Sequence, residues 1–247
     1  FVYYLITRWK ELGKINGKEY IVKTIVTTET IKTIAERNGV EMYDVYTGFK
    51  WIANVMRENE GKKNYIGGGE ESYGFLCEDF VRDKDAVSAC VILAEIAAWA
   101  KDQGLSLYQL LQKIYVEYGF SKEKGISVVK KGKSGAEEIE AMMKKFRENP
   151  LTEIAGSKVT YFYDYSTLKG KDYAENETVT LDMPTTSNVL QYFTEDNTKV
   201  SIRPSGTEPK IKFYCEVHSK VKSIDELPEA EKAAEEKINQ IKASLGI

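Results

Sequence analysis

Between residues 20 and 101 the hydrophobic pattern keeps switching between a strand period and a helix period, and this alternation restricts the fold more than any other feature of the chain. A β-branched run predicts a strand over residues 20–28, and a helix over 29–37 follows, stopped by Asn38 and Gly39. A strand at 41–46, a helix at 49–58, a short strand at 63–66 and a long helix at 85–101 continue the series. Apolar residues at helical spacing from Phe1 onward predict a helix ahead of it, and a further helix at 106–118 closes it. Strands alternating with helices make a mostly parallel sheet covered by helices, whose ligands gather beyond the carboxyl ends of the strands. The loops after residues 28, 46 and 66 are therefore the places to look for a site.

The second half changes character. Residues 119–135, rich in Gly and Lys, read as a connector. Beyond it come a helix at 136–147, strands at about 159–165, 178–181, 188–193, 199–203 and 210–218, and a final helix at 229–245. Helices flanking a run of strands predict a smaller α+β domain with an antiparallel sheet. The expected division is 1–130 and 131–247. At 247 residues the chain is long enough for two cores.

With 35 basic and 38 acidic side chains the net charge is −3, so no global field gathers nucleic acid or an anionic membrane, and any anion site must be local. The apolar stretch at 86–100, broken by Ser88, Cys90 and Glu95, falls short of the ~20 residues a membrane span needs and is expected to be a buried helix. Cys77, Cys90 and Cys215 are odd in number and far apart, which argues against a disulfide framework or a zinc site and suits a reducing cytoplasm. The chain opens at Phe1 without an initiator Met or a signal-peptide pattern and reads as a fragment.

Two loops carry chemistry. Arg203-Pro204-Ser205-Gly206-Thr207-Glu208-Pro209-Lys210 lies between two alternating strands, so it is a hairpin turn. Arg203 offers a planar fork to two oxygens of an oxyanion, Ser205 and Thr207 offer hydroxyls, Lys210 a further cation, and Gly206 lets the backbone close on the anion. Pro204 and Pro209 stiffen both ends. The same residues also suit an ordinary polar turn. The second loop, Gly67-Gly68-Gly69-Glu70-Glu71-Ser72, follows the strand ending at Ile66. Its glycines would let a ligand approach the backbone, and Glu70 and Ser72 share a face if the loop is extended; a solvated glycine-rich connection fits equally well. Asp83 or Asp85 can cap the next helix and leave Arg82 and Lys84 free to meet an anion, unless they form a plain solvated charge run.

The Arg203–Lys210 string closely resembles the phosphate-binding loop in the fourth domain of α-D-phosphohexomutases, the family of phosphoglucomutase and phosphomannomutase. Glu70 and Ser72 match that family's third-domain loop, which grips the sugar's 3- and 4-hydroxyls. Thr47 and Gly48 resemble its ligand-contacting Thr-Gly turn, and the segment from Arg82 to Asp85 resembles the one that opens its long helix. The resemblance implies an enzyme that moves phosphate between the 1- and 6-positions of glucose or mannose through a phosphoserine and a hexose 1,6-bisphosphate. Lys84 would assist proton movement. The phosphoserine and the aspartates that hold Mg2+ belong to N-terminal domains this chain lacks, so the chain alone is expected to be inactive. A non-catalytic sugar-phosphate-binding module, a phosphopentomutase or amino-sugar mutase, and a serine hydrolase using Ser72 and His218 are the alternatives. His218 is expected to be structural.

Overall fold

The computed structural model describes residues 1–130, 132–206 and 208–247. Its contacts divide the chain into two units, Phe1–Gly119 with Val221–Ile224, and Phe120–Lys220 with Asp225–Ile247. The second unit is no smaller than the first. The division falls after Gly119, ahead of the point near residue 130 expected from composition.

In the first unit α1 (Val2–Glu11) precedes β1 (Glu19–Thr24), α2 (Glu29–Arg37), β2 (Glu41–Val45), α3 (Phe49–Asn59), β3 (Asn64–Gly69), β4 (Phe75–Cys77), α4 (Ala86–Asp102) and α5 (Leu107–Tyr118). The sheet order is β2-β1-β3-β4, parallel except for β4. Because successive side chains leave a strand on opposite faces, Ile21 and Ile66 enter a core with α1, α2, α4 and α5, while Tyr20, Val22 and Tyr65 enter another with α3. Thr28 caps α2 by accepting from the Thr30 amide at 3.2 Å, and Asp85 caps α4 by accepting from the Ser88 amide at 2.8 Å. Ser106 and Gln109 form a capping box on α5.

Three expectations need correction here. The strand β1 stops at Thr24, and β3 continues through the glycines to Gly69. The α4 helix, expected to be buried, buries only Ile96 and Ala100.

The second unit runs β5 (Phe120–Val129), α6 (Gly132–Glu148), β6 (Glu153–Ile154), β7 (Ser157–Asp164), β8 (Lys169–Asp172), β9 (Glu177–Thr180), β10 (Leu190–Thr194), β11 (Lys199–Pro204), β12 (Lys210–Ser219), a short 3-10 turn and α7 (Leu227–Leu245). All pairings are antiparallel, in the order β5-β12-β11-β10-β7-β8-β9, with β6 beside β7. The segment read as a connector is the edge strand β5, paired with β12 along its whole length. The helices α6 and α7 supply Ile139, Met143, Ile238 and Ile241 to the core, which also holds Ile211, Phe213 and Ile202. Among the described residues no helix is long and apolar enough to cross a membrane.

An ion pair is buried in this sheet: Lys199 Nζ meets Glu216 Oε2 at 2.9 Å, and His218 Nε2 meets Glu216 Oε1 at 2.7 Å. Burial alone would raise the Glu216 pKa, but Lys199 and then His218 outweigh it and hold the carboxyl well below the ordinary carboxylate range. Exposed Glu123 is the neighbour of Glu216 on β5. A depressed folded-state pKa stabilises above the unfolded value and is lost as pH falls below about 4. Urea midpoints should therefore drop between pH 7 and pH 3. The drop should shrink in a Lys199→Met, Glu216→Gln double variant, and an unchanged acid limb in that variant would remove the pair from the account.

Candidate functional site

At the carboxyl end of the parallel sheet, β2 runs through buried Tyr46 into Thr47 and Gly48. Gly48 has φ +121°, which side-chain-bearing residues rarely adopt, and this turn starts α3. Its amide donates to Glu70 Oε1 at 2.7 Å, so a carboxylate sits at the positive end of α3. Glu70 closes the turn between β3 and β4, its own amide donating to the Gly74 carbonyl at 2.8 Å. Side-chain atoms crowd Gly74: a Cβ there would stand 2.9 Å from Glu70 Oε2 and 3.2 Å from Lys84 Cδ. Lys84 Nζ lies 5.7 Å from the centre of the Phe49 ring and 3.2 Å from Asp83. Thr47, Gly48, Glu70 and Lys84 thus gather around one turn. Thr47 Oγ1 is buried without a hydrogen-bond partner, a cost of roughly 1–3 kcal/mol.

Other expected residues lie elsewhere. The 70–74 turn is bent, not extended, so Ser72 does not share a face with Glu70; it is exposed and reaches Glu71 at 3.4 Å. Arg82 pairs with Glu60 at 3.1 Å and lines a separate recess of about 410 Å³ with Lys50, Asn54, Arg57 and Asp83. The glycines of β3 serve the sheet. A Cβ on Gly68 would overlap the Val22 carbonyl oxygen and come within 2.9 Å of Tyr65 Oη, and one on Gly69 would overlap the Gly74 carbonyl.

Sequence reasoning assigned no role to Lys23 or Glu71. Lys23 is fully buried in β1, 2.7 Å from Asp44 and 2.9 Å from Glu29. Burial works to lower its pKa, and Asp44 followed by Glu29 outweighs that and holds it above the ordinary lysine value. The available signal was a lysine inside an apolar strand, with Asp44 as its partner in register. Glu71 accepts from Thr24 Oγ1 at 3.3 Å and ties the turn to the end of β1.

In the second unit Arg203, the last residue but one of β11, stands directly opposite Lys212 on β12. Like charges facing each other across strands are unfavourable, and among the described residues no carboxylate pairs with Arg203. Two cations thus stand at the root of the turn. The Ser205 amide donates to the Lys210 carbonyl at 2.8 Å and closes the turn. Lys210 Nζ is 2.6 Å from Glu208 Oε2, so this cation is already neutralised, and the hydrogen bond from Lys210 holds the Glu208 carboxyl below its usual value. Nothing lies within 4 Å of a Cβ built on Gly206, which leaves that backbone open to approach. Ser205, Gly206 and Lys210 line a cavity of about 770 Å³ with Met143, Lys144 and Arg147 of α6. Thr207 lies outside the described residues. Lys212 was not singled out from sequence, because only the register shows what it faces. His218 bonds Glu216 and Ser72 bonds Glu71, which gives no support to a serine hydrolase. Among the described residues no group of three or more His, Cys, Asp or Glu side chains could hold a metal ion.

Known proteins are similar to this chain in sequence and fold. Residues 1–118 match the model of phosphoglucomutase/phosphomannomutase, alpha/beta/alpha domain III, and residues 127–234 match the C-terminal domain of phosphoglucomutase/phosphomannomutase. A phosphoglucomutase of Staphylococcus haemolyticus is 35% identical over 214 residues, covering 87% of this chain and 39% of its own length. A phosphoglucomutase of Staphylococcus aureus is 40% identical over 194 residues, covering 78% of this chain and 35% of its own. A crystal structure of a phosphoglucomutase/phosphomannomutase family protein from Burkholderia thailandensis shares the fold with a TM-score of 0.56 at 16% identity, over 99% of this chain and 42% of that one. The chain thus spans well under half the length of these relatives. Two consecutive domain models, in family order and covering nearly all of the sequence, make this chain a member of the phosphoglucomutase/phosphomannomutase family.

Proposed function

We propose that this chain is the substrate-holding, C-terminal part of a mutase that interconverts hexose 1-phosphate and hexose 6-phosphate, glucose or mannose, through a phosphoserine and a hexose 1,6-bisphosphate. The observation that carries the reading is the Arg203 and Lys212 pair at the base of an open Ser205-Gly206 turn. Phosphoryl transfer is chiefly positioning and charge neutralisation, so one phosphate must be held while the other reacts. Arg203, with Ser205 and the Gly206 backbone, holds the non-reacting phosphate, and Lys212 adds positive charge behind it. In the first unit the Glu70 carboxylate takes a sugar hydroxyl as acceptor, beside the Thr47-Gly48 turn to which it is hydrogen-bonded. Lys84 holds or receives a proton near the attacked hydroxyl. Ser72, Arg82, Thr207 and Lys210 are secondary candidates, the last once it exchanges Glu208 for phosphate.

The phosphoserine would come from domains of the same polypeptide that lie outside this chain. The described residues offer no carboxylate cluster that fits magnesium, so the ion implied by the family resemblance would also be held there. The test is an assay of both forms. The complete polypeptide should convert glucose 1-phosphate to glucose 6-phosphate, while this chain alone shows no turnover. Glu70→Gln in the complete protein should cut kcat/KM by roughly 10- to 100-fold, because the amide cannot accept hydroxyl protons as strongly as the carboxylate. Turnover by the isolated chain would overturn the division of labour. Binding without turnover by the complete polypeptide would favour a sensing module instead.

A further inference from the structure

The α4 helix is apolar nearly all the way round. From Ala86 to Ala98 its only charged residue is Glu95, to which Tyr4 of α1 donates a hydrogen bond. The core takes Ile92, Ile96 and Ala100 from one side of the helix. On the other side Val87, Cys90, Val91, Ala94 and Ala98 recur at helical spacing and are all exposed, Val87 by 74% and Val91 by 60%. Phe80, in the loop that leads to the helix, is 59% exposed. A helix with apolar residues on every side is one that is covered on every side, and an uncharged stripe three turns long is a contact surface in an ordinary soluble domain.

The occupant follows from what the family contains. The first unit matches a domain numbered III, so the family has two domains ahead of it, and the relatives run to more than twice the length represented here. A tethered domain presents itself at an effective concentration of roughly millimolar, which a second copy of the chain does not reach at ordinary protein concentrations. We infer that the bare face of α4 is the docking surface for the part of the same polypeptide that precedes domain III, and that docking there steadies Lys84, which leads directly into this helix.

Cys90 lies within the stripe, while Cys77 and Cys215 are buried, so thiol labelling reads the surface directly. Native-state labelling with a maleimide, resolved by peptide mass spectrometry, should modify Cys90 of this chain at the rate of an exposed thiol. In the complete polypeptide the same cysteine should react at least about tenfold more slowly. Val91→Glu in the complete protein should restore labelling and lower kcat/KM. In this chain alone the substitution, made at a solvent-facing position, should leave the melting temperature within about 2 °C. Equal labelling rates in the two proteins would overturn the inference. Concentration-dependent protection of Cys90 in the 247-residue chain, with a doubled mass, would overturn it in favour of a self-association surface. Either failure leaves the Arg203 loop untouched, since its readout is hexose phosphate affinity.

Discussion

Gly68→Ala should lower the melting temperature of the first unit by roughly 10–20 °C, the counterpart of a destabilisation of about 4 kcal/mol or more. The methyl group would point into the neighbouring central strand, overlapping the Val22 carbonyl oxygen and standing 3.0 Å from the Val22 carbonyl carbon. Those are backbone atoms of a parallel ladder and cannot step aside as a flexible side chain can. Set against a total stability of about 5–15 kcal/mol, such a loss brings the unit close to unfolding. Thermal unfolding by circular dichroism measures it. A variant that melts within about 2 °C of the parent yet binds hexose phosphate poorly would return the glycine run to a ligand-facing role.

Arg203→Ala should weaken hexose phosphate binding by the complete polypeptide by about 100-fold or more, the loss expected for two charge-assisted hydrogen bonds to phosphate. Stability should hold or rise slightly, because the substitution relieves the confrontation with Lys212. Arg203→Lys should recover little of the affinity, since an ammonium has no planar fork. Gly206→Ala separates ligand effects from folding. Its added methyl meets nothing in the protein, so stability should stay within about 0.5 kcal/mol while affinity falls. Isothermal titration of glucose 6-phosphate would decide. Unchanged affinity in Arg203→Ala would end the phosphate-loop reading.

Local patterning carried far in the first unit. The helix expected at 29–37 is α2 residue for residue, and those expected at 49–58, 85–101 and 106–118 differ from α3, α4 and α5 by single residues, because caps and period agree there. Nonlocal pairing was harder to see. The Gly and Lys residues that made β5 look like a linker include Lys122 and Lys124, charges of the kind that protect an edge strand. The β4 and β6 strands are too short to show a period. Around the site the same division holds. Gly48 and Glu70 stood out by type, and the hydrogen bond joins them, whereas Lys23 with Asp44 and Arg203 with Lys212 become visible only once strand register is known. The glycine run misled because close approach to another strand and close approach to a ligand call for the same residue.

Along its whole length β5 has a single neighbour, β12, and that neighbour is the last strand of the sheet to leave the ribosome. At roughly 5–20 residues per second, the partner of Phe120 arrives several seconds after Phe120 itself. Until then the nascent second unit holds an open hydrogen-bonding edge, of the kind on which stray strands pair.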